Sequence, residues 1–260
     1  MKKKIIWLVL LIILVVGGIL VFSSKGKKEN KETVEEDKIQ IGMSFDSFVI
    51  ERWLRDRDVF VSTAKELGAE VNVQNANGDI EEQKKHINYF IEKGVDAIVI
   101  VCIDSYGLKD EVKKALDAGI KVVAYDRLIT EANVDLYISF DNAKVGEMMG
   151  DALVESGIKS KNVLMLGGSP TDSNVPILEG AFKKVMTDNN NTVIYSFHAD
   201  NWEAELAAQY VYENVNIVAR ADAIMCGNDN LASQVLRALA EKRLAGDILV
   251  VGQDADLEAC

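Results

Sequence analysis

The chain has 260 residues, is 48% hydrophobic and 27% charged, and carries a formal net charge of −12. That length buries one large core or two medium ones, and the composition is that of a folded globular protein. From residue 38 onward, 22 Lys and Arg face 36 Asp and Glu; this excludes a nucleic-acid footprint, which needs clustered basic residues, and suits an uncharged or cationic ligand.

Lys2, Lys3 and Lys4 precede an uncharged stretch of 18 residues, Ile5 to Phe22, close to the ~20 that a helix needs to cross a bilayer. A secretory signal has a shorter apolar core, roughly 7–15 residues, and a small-x-small cleavage site. Here the stretch ends Val21-Phe22-Ser23-Ser24-Lys25. Residues 1–22 therefore read as an uncleaved transmembrane anchor, with a signal segment as the alternative. Either keeps the amino-terminal lysines inside and sends the rest to the extracytoplasmic side of the cell membrane. Residues 23–38 are charged, with Val34 the single apolar residue. They read as a flexible tether with a typical reach of roughly 20–25 Å.

Beyond the tether, short β-branched runs alternate with helical stretches. Strands are expected at 39–45, 69–74, 95–101, 120–125, 135–140, 162–166, 192–198, 221–225 and 247–252. Helices are expected at 50–67, 79–93, 107–118, 142–156, 174–188, 202–215 and 229–243. Gly68, Gly94, Gly119 and Gly157 end helices and open the next strand, the usual glycine stop. Asp79 with Glu82 three residues later reads as a capping box. This rhythm is that of parallel sheets with helices on both faces. It breaks once, where the strands at 120–125 and 135–140 follow each other with a loop between them. The chain is therefore expected to form two doubly wound α/β lobes on a hinge, 39–141 and 142–260. Ligand sites favour such interfaces, and lobes on a hinge close around a ligand.

Four polar clusters end four apolar runs: Ala124-Tyr125-Asp126-Arg127, the Gly167–Asn174 loop, Cys226-Gly227-Asn228-Asp229 and Gly252-Gln253-Asp254-Ala255-Asp256. Ligands of open α/β sheets bind beyond the carboxyl ends of the strands, so these clusters should meet. Asp126 and Arg127 read either as a salt bridge at a strand end or as a loop serving the cleft. Asp172 and Asn174 follow a glycine pair that lets the backbone turn. Asn228 and Asp254 each end an apolar strand. Arg52 and Trp53 open the first helix, either as part of a solvated charge run or facing the cleft. Trp202, at another helix start, reads as core or as a platform for a sugar ring, whose C–H faces pack on indole. Charged groups hydrogen-bonded to hydroxyls contribute about 1.5–3 kcal/mol each.

Catalytic machinery is not evident. His86 lies mid-helix in a charged stretch and is expected at the surface, far in sequence from His198. The first strand has no Gly-x-Gly-x-x-Gly after it, and neither a Walker loop, a nucleophile elbow nor a Cys/His metal spacing occurs. No cofactor or metal is expected. Cys102, Cys226 and Cys260 form no disulfide framework; the first two end apolar runs and read as buried and inert. Asn190-Asn191-Thr192 matches a glycosylation sequon, a weak three-residue signal.

Taken as a set, Ile41-Gly42-Met43, Glu51-Arg52-Trp53, Asn75-Ala76-Asn77-Gly78, Ala124-Tyr125-Asp126-Arg127, Tyr137–Asn142, the Gly-Gly-Ser-Pro loop, Asn228-Asp229 and Gly252–Asp256 resemble the D-xylose-binding proteins of bacterial sugar ABC transporters. That family is a branch of the type I periplasmic binding fold, and the resemblance covers residues 38–260. It implies a sugar held between the lobes by Arg52, Asp126, Arg127, Asp172, Asn174, Asn228 and Asp254, with stacking on Trp202 and Trp53. Family members are exported free or held by a lipid, whereas this chain reads as held by a helix. They also continue past the Gln-Asp-Ala-Asp motif with a return to the first lobe; on this reading either the sequence is a fragment, or the first lobe lacks that element and the pocket a wall. The expected function is extracytoplasmic monosaccharide binding, D-xylose foremost, with presentation to a sensor histidine kinase or an ABC permease. The alternatives are a cytosolic sugar-responsive regulator, which would need a DNA-binding headpiece, and a Rossmann-like enzyme.

Overall fold

The structure, a computed structural model, describes residues 38–257. The anchor at 1–22, the tether apart from Lys38, and Cys260 lie outside the described residues. Among the described residues no helix is long and apolar enough to cross a membrane.

The first lobe contains β1 (Gln40–Phe45), α1 (Arg52–Glu66), β2 (Glu70–Asn75), α2 (Ile80–Lys93), β3 (Ala97–Ile100), α3 (Lys109–Asp117), β4 (Lys121–Tyr125) and β5 (Leu136–Ile138). The second begins with α4 (Asn142–Glu155) and β6 (Asn162–Gly167), then α5 (Asn174–Asp188), β7 (Thr192–His198) and a 3₁₀ turn, Asp200–Trp202. It continues through α6 (Ala204–Glu213), α7 (Val215–Val218), β8 (Ala223–Cys226), α8 (Asp229–Glu241) and β9 (Leu249–Val251). Each expected strand and helix is present to within two residues at its ends, except that the helix expected at 202–215 divides into the 3₁₀ turn, α6 and α7.

The sheets run β2-β1-β3-β4-β5 and β7-β6-β8-β9, and all of their pairings are parallel. In each sheet the winding reverses beside its first strand. β1 lies between β2 and β3, and β6 between β7 and β8. Such a switch point opens a crevice beyond the carboxyl ends of its strands, and both lobes place theirs at the same interface.

Continuous apolar runs suit strands buried on both faces. Ile98, Ile100, Val122 and Ala124 pack with Ile87 and Phe90 of α2 and Val112 and Ala115 of α3. Val163, Met165, Ala223 and Met225 pack with Met149 and Leu153 of α4 and with Leu178, Phe182 and Met186 of α5. A third cluster is continuous between lobes, joining Phe45, Trp53 and Val101 to Leu166, Trp202 and Cys226. Cys102 and Cys226 are fully buried and free; burial pushes the Cys102 thiol up to about 12 and raises that of Cys226 as well.

Two local expectations need correction. His86 is buried rather than at the surface. It lies on the α2 face turned to β1, where its Nδ1 is 3.3 Å from Ser44 Oγ, and burial lowers its pKa against the raising influence of Glu82. Asp79 caps α2 by accepting from the backbone N–H groups of Glu81 and Glu82, but the reciprocal half of the capping box does not form. The Asp79 N–H already donates to the Ala76 carbonyl, and Glu82 pairs with Lys85 at 2.8 Å instead.

Helices α4 and α5 cross at backbone distance because Gly146 and Gly150 lie between them. A Cβ on Gly146 would fall onto the Leu178 carbonyl, and one on Gly150 would lie 2.8 Å from Val185 Cβ. Gly146→Ala is expected to destabilise the fold by ~1–3 kcal/mol through overpacking, reversing the ~1 kcal/mol gain that Gly→Ala brings in an open helix. Gly180→Ala on α5, where a Cβ meets nothing within 4 Å, should stabilise. Urea unfolding of the two variants checks the opposite signs.

Candidate functional site

The cleft gathers side chains from six strand ends. The loop after β1 supplies Asp46, the start of α1 supplies Arg52 and Trp53, and the turn after β4 supplies Asp126 and Arg127. From the second lobe come Asp172 and Asn174 after β6, Trp202 after β7, Asn228 after β8 and Asp254 after β9. All nine residues expected at the site, from Arg52 to Asp254, line one cavity. That cavity is narrow, with about 40 Å³ open to the centres of water-sized spheres.

Backbone irregularity aims several of these groups. Adjacent residues on a strand point to opposite faces, yet Asp126 and Arg127 both reach the cavity. Asp126 has φ 66°, so the strand alternation ends there and both side chains turn inward. Asp254 at φ 99° and Trp202 at φ 60° are also in the left-handed region. Non-glycine residues are uncommon there, and such conformations cluster at functional sites.

Arg127 is the most enclosed group. Its Nη1 donates to Asp46 Oδ2 at 2.7 Å and to the Cys102 carbonyl at 2.9 Å. Its Nε lies 2.7 Å from Asp172 Oδ2, so one guanidinium joins both lobes. Burial works against its charge, but the Asp172 and Asp46 carboxylates more than restore it and raise its pKa. Arg52 donates to Asp126 Oδ2 and lies 3.5 Å from Asp56 and 3.9 Å from Asp254. Its guanidinium sits 4.2 Å above the Trp53 ring. That indole face therefore holds an arginine, which leaves Trp202 as the more available platform for a ligand ring.

Trp202 is set by two glycines. A Cβ on Gly168 would collide with its ring, and one on Gly227 would lie 3.1 Å from it. Its Nε1 donates to Asp172 Oδ2 at 3.2 Å. Asn174 Nδ2 crosses the cleft to donate to Asp126 Oδ1 at 2.9 Å. Asn228 caps α8 by accepting from the Leu231 N–H at 2.9 Å, which leaves its Nδ2 for the cavity. Burial pushes the Asp254 carboxyl up to about 6, opposed by Arg52.

The lining also includes Ile50, Phe140, Asn142, Leu178, Glu179, Met225 and Gln253, none of which was expected as a site residue. Phe140, Asn142 and Gln253 had a visible signal, since they fall in the Tyr137–Asn142 and Gly252–Asp256 motifs; Gln253 Nε2 donates to the Gly227 carbonyl at 2.7 Å. Among the described residues eight buried side-chain polar atoms lack a hydrogen-bond partner, and six belong to residues of this cavity. Arg52 Nε, Arg127 Nε and Glu179 Oε1 have ion-pair neighbours. Trp53 Nε1, Asn174 Oδ1 and Asn228 Nδ2 complete the set. Unpaired buried polar groups cost free energy, and the last three, with neither a hydrogen bond nor an ion pair, are groups that a polar ligand would satisfy. Two arginines face four carboxylates in the lining, Asp126, Asp172, Glu179 and Asp254. An anion would meet repulsion, whereas a neutral molecule bearing several hydroxyl groups meets partners for both lone pairs and protons.

The chain belongs to the periplasmic binding protein family, whose periplasmic binding protein domain matches residues 41–260. It is 40% identical over 226 residues to the D-xylose-binding periplasmic protein of Escherichia coli, covering 85% of this chain and 68% of that protein. It is 38% identical over 251 residues to the D-xylose-binding periplasmic protein of Haemophilus influenzae, covering 94% and 72%. Among solved structures, the fold is similar to an ABC transporter periplasmic solute-binding protein from Actinobacillus succinogenes with bound D-allose. That pair has 28% identity and a TM-score of 0.77, and the match covers 85% of this chain and 80% of the other. The fold is therefore that of the two-lobed periplasmic binding proteins, and family membership places the folded part outside the cytoplasm.

The Asp254 carboxyl, held at about 6 against an ordinary 3.8, makes stability pH-dependent. The native state keeps this proton at pH values where the unfolded chain has lost it. Stability from this group is therefore present below pH ~4 and is lost as pH rises through about 6. Asp254→Asn should raise unfolding free energy at pH 7, by up to ~3 kcal/mol, and flatten its slope between pH 4 and 6. Denaturant titrations at several pH values check this; an unchanged slope would contradict it.

Proposed function

We propose, with membership of that family as the premise, that this chain is an extracytoplasmic receptor for a neutral monosaccharide, D-xylose foremost. It closes its two lobes on the sugar and presents the closed form to a membrane partner. The observation that carries this reading is the convergence of carboxylates, guanidinium groups and amides in one interlobe cavity, where Trp53 Nε1, Asn174 Oδ1 and Asn228 Nδ2 are buried without a partner. The identities to D-xylose-binding proteins support the choice of sugar.

In this reading Asp126, Asp172 and Asp254 accept from sugar hydroxyls, and Arg52, Arg127 and the Asn228 amide donate to ring or hydroxyl oxygens. Asn174 Oδ1 accepts where its Nδ2 is already committed to Asp126. Trp202 lies against the apolar C–H face of the pyranose, and Trp53 contributes through the Arg52 it carries. Discrimination follows from burial, because a sugar lacking one hydroxyl leaves a charged group unpaired. Closure follows from the same contacts. A ligand that touches both lobes binds the closed form more tightly and shifts the population toward it.

The membrane partner follows from the amino-terminal sequence. Read as an uncleaved anchor and a short charged tether, residues 1–38 would hold the receptor at the outer face of the cell membrane, at high effective concentration beside a fixed partner. That favours a sensor histidine kinase over an ABC permease, because a delivery protein gains from diffusing freely.

Calorimetric titration of the full chain with D-xylose, ribose, arabinose and glucose tests the ligand. Binding of D-xylose is expected, with ~2.7 kcal/mol of added stability at 100 times its Kd and no response in Asp254→Ala. Silence toward all four sugars would defeat the reading. For the partner, cross-linked pull-down from membranes is expected to recover a sensor; recovery of permease subunits alone would decide for transport.

A further inference from the structure

Glu179 is an unusual residue for the middle of a helix. It lies on α5 five positions after Asn174, and both residues line the cavity together with Leu178. It is 5% exposed, although its sequence pattern, with Lys183 at i+4, is that of an ordinary solvated pair. Lys183 Nζ is 3.5 Å from Oε2, and His198 Nε2 at the end of β7 is 2.9 Å from Oε1. The histidine contact is not aligned as a hydrogen bond, so Oε1 is buried without an aligned donor.

The carboxylate reaches the cavity through a gap left by a glycine. Gly167, the last residue of β6, also lines the cavity, and a Cβ there would collide with Glu179 Oε1. Any side chain at 167 would push this oxygen back into the helix layer. His198 approaches Oε1 from β7, and Lys183 approaches Oε2 from α5 itself. They offset the cost of burying the carboxylate, while Oε1 has no aligned donor.

We infer that Glu179 is a further specificity-determining residue, whose Oε1 accepts a hydrogen bond from one hydroxyl of the bound sugar at the floor of the cavity, beside Gly167. The inference rests on the sugar-binding reading above and deepens it by assigning an eighth polar partner that sits beneath the strand-end loops. A charged acceptor that is already desolvated discriminates strongly, because a ligand without the matching hydroxyl leaves it unpaired.

The test is a cycle between protein variants and sugars, read by calorimetry. D-Xylose, its 2-, 3- and 4-deoxy derivatives and 1,5-anhydroxylitol, which lacks the anomeric hydroxyl, are titrated into the wild type, Glu179→Gln and Glu179→Asp. Glu179→Gln keeps the shape and removes the charge, and Glu179→Asp keeps the charge and withdraws it by one methylene. In the wild type every deoxy sugar should bind more weakly. In both variants D-xylose should lose about tenfold in affinity, the difference between a charge-assisted and a neutral hydrogen bond. One deoxy sugar, and only one, should then bind the variants as well as it binds the wild type. Equal losses for all five sugars would make Glu179 a structural residue and overturn the inference, as would unchanged affinities. Failure of the wild type to bind D-xylose would instead defeat the sugar reading itself. Circular dichroism of each variant identifies one that has not folded, and either variant alone completes the cycle.

Discussion

The two lobes meet on one buried cation. Arg127 is 2% exposed and lies between Asp46 of the first lobe and Asp172 of the second. Burying a charge is expensive, and its partners repay that cost when the geometry is good and the remaining donors are used. Here Nη1 is shared between Asp46 and the Cys102 carbonyl, and Nε faces Asp172. Asp172 in turn accepts from the Trp202 indole and from the Asn174 backbone N–H. The Trp202 ring, the start of α5 and the contact between the lobes are therefore linked through one guanidinium. Any movement that opens the cleft must separate Arg127 from Asp172 and expose both.

The arrangement follows from topology as much as from the residues. Parallel strands send all their carboxyl ends the same way, and the switch in winding beside β1 and β6 leaves a gap at those ends where no crossover helix lies. Two such gaps face each other. The loops that fill them are short, and they make their turns at Asp126, Trp202 and Asp254 with positive φ. These residues are held in sparsely populated conformations by the sheets behind them and by contacts across the cleft. Pre-organisation of this kind lowers the ordering cost of binding.

Much of this was legible in the chain. Apolar runs of β-branched residues separated by amphipathic stretches have few physical solutions besides parallel sheets, and polar residues just beyond the carboxyl ends of such runs have one place to go. That logic brought Asp126, Arg127, Asp172, Asn174, Asn228 and Asp254 to a single cavity. What it did not reach was pairing. Asp46 looked like any residue after a strand, and its role as half of an interlobe ion triad depends on Arg127 arriving from 81 residues away. His86 sat among charged neighbours, and only the register of α2 against β1 shows that its face is the buried one. Glu179 carried the pattern of a solvated helix charge; the clue was the glycine at 167, whose need for space cannot be read without knowing what stands opposite. Residues 1–37 carry the anchor and tether readings on composition alone.

The charges of the cleft decide what kind of guest it suits. Two arginines are almost wholly engaged by carboxylates, so neither offers an unbalanced positive charge to an anion. Three of the carboxylates also have their own partners: Asp126 has Arg52 and Asn174, Asp172 has Arg127 and Trp202, and Glu179 has His198 and Lys183. Asp254 is the exception, 3.9 Å from Arg52 and raised toward neutrality by burial. At pH 7 it is nonetheless largely ionised. A hydroxyl donor placed against it would stabilise that ionised form and offset the burial that raises its pKa.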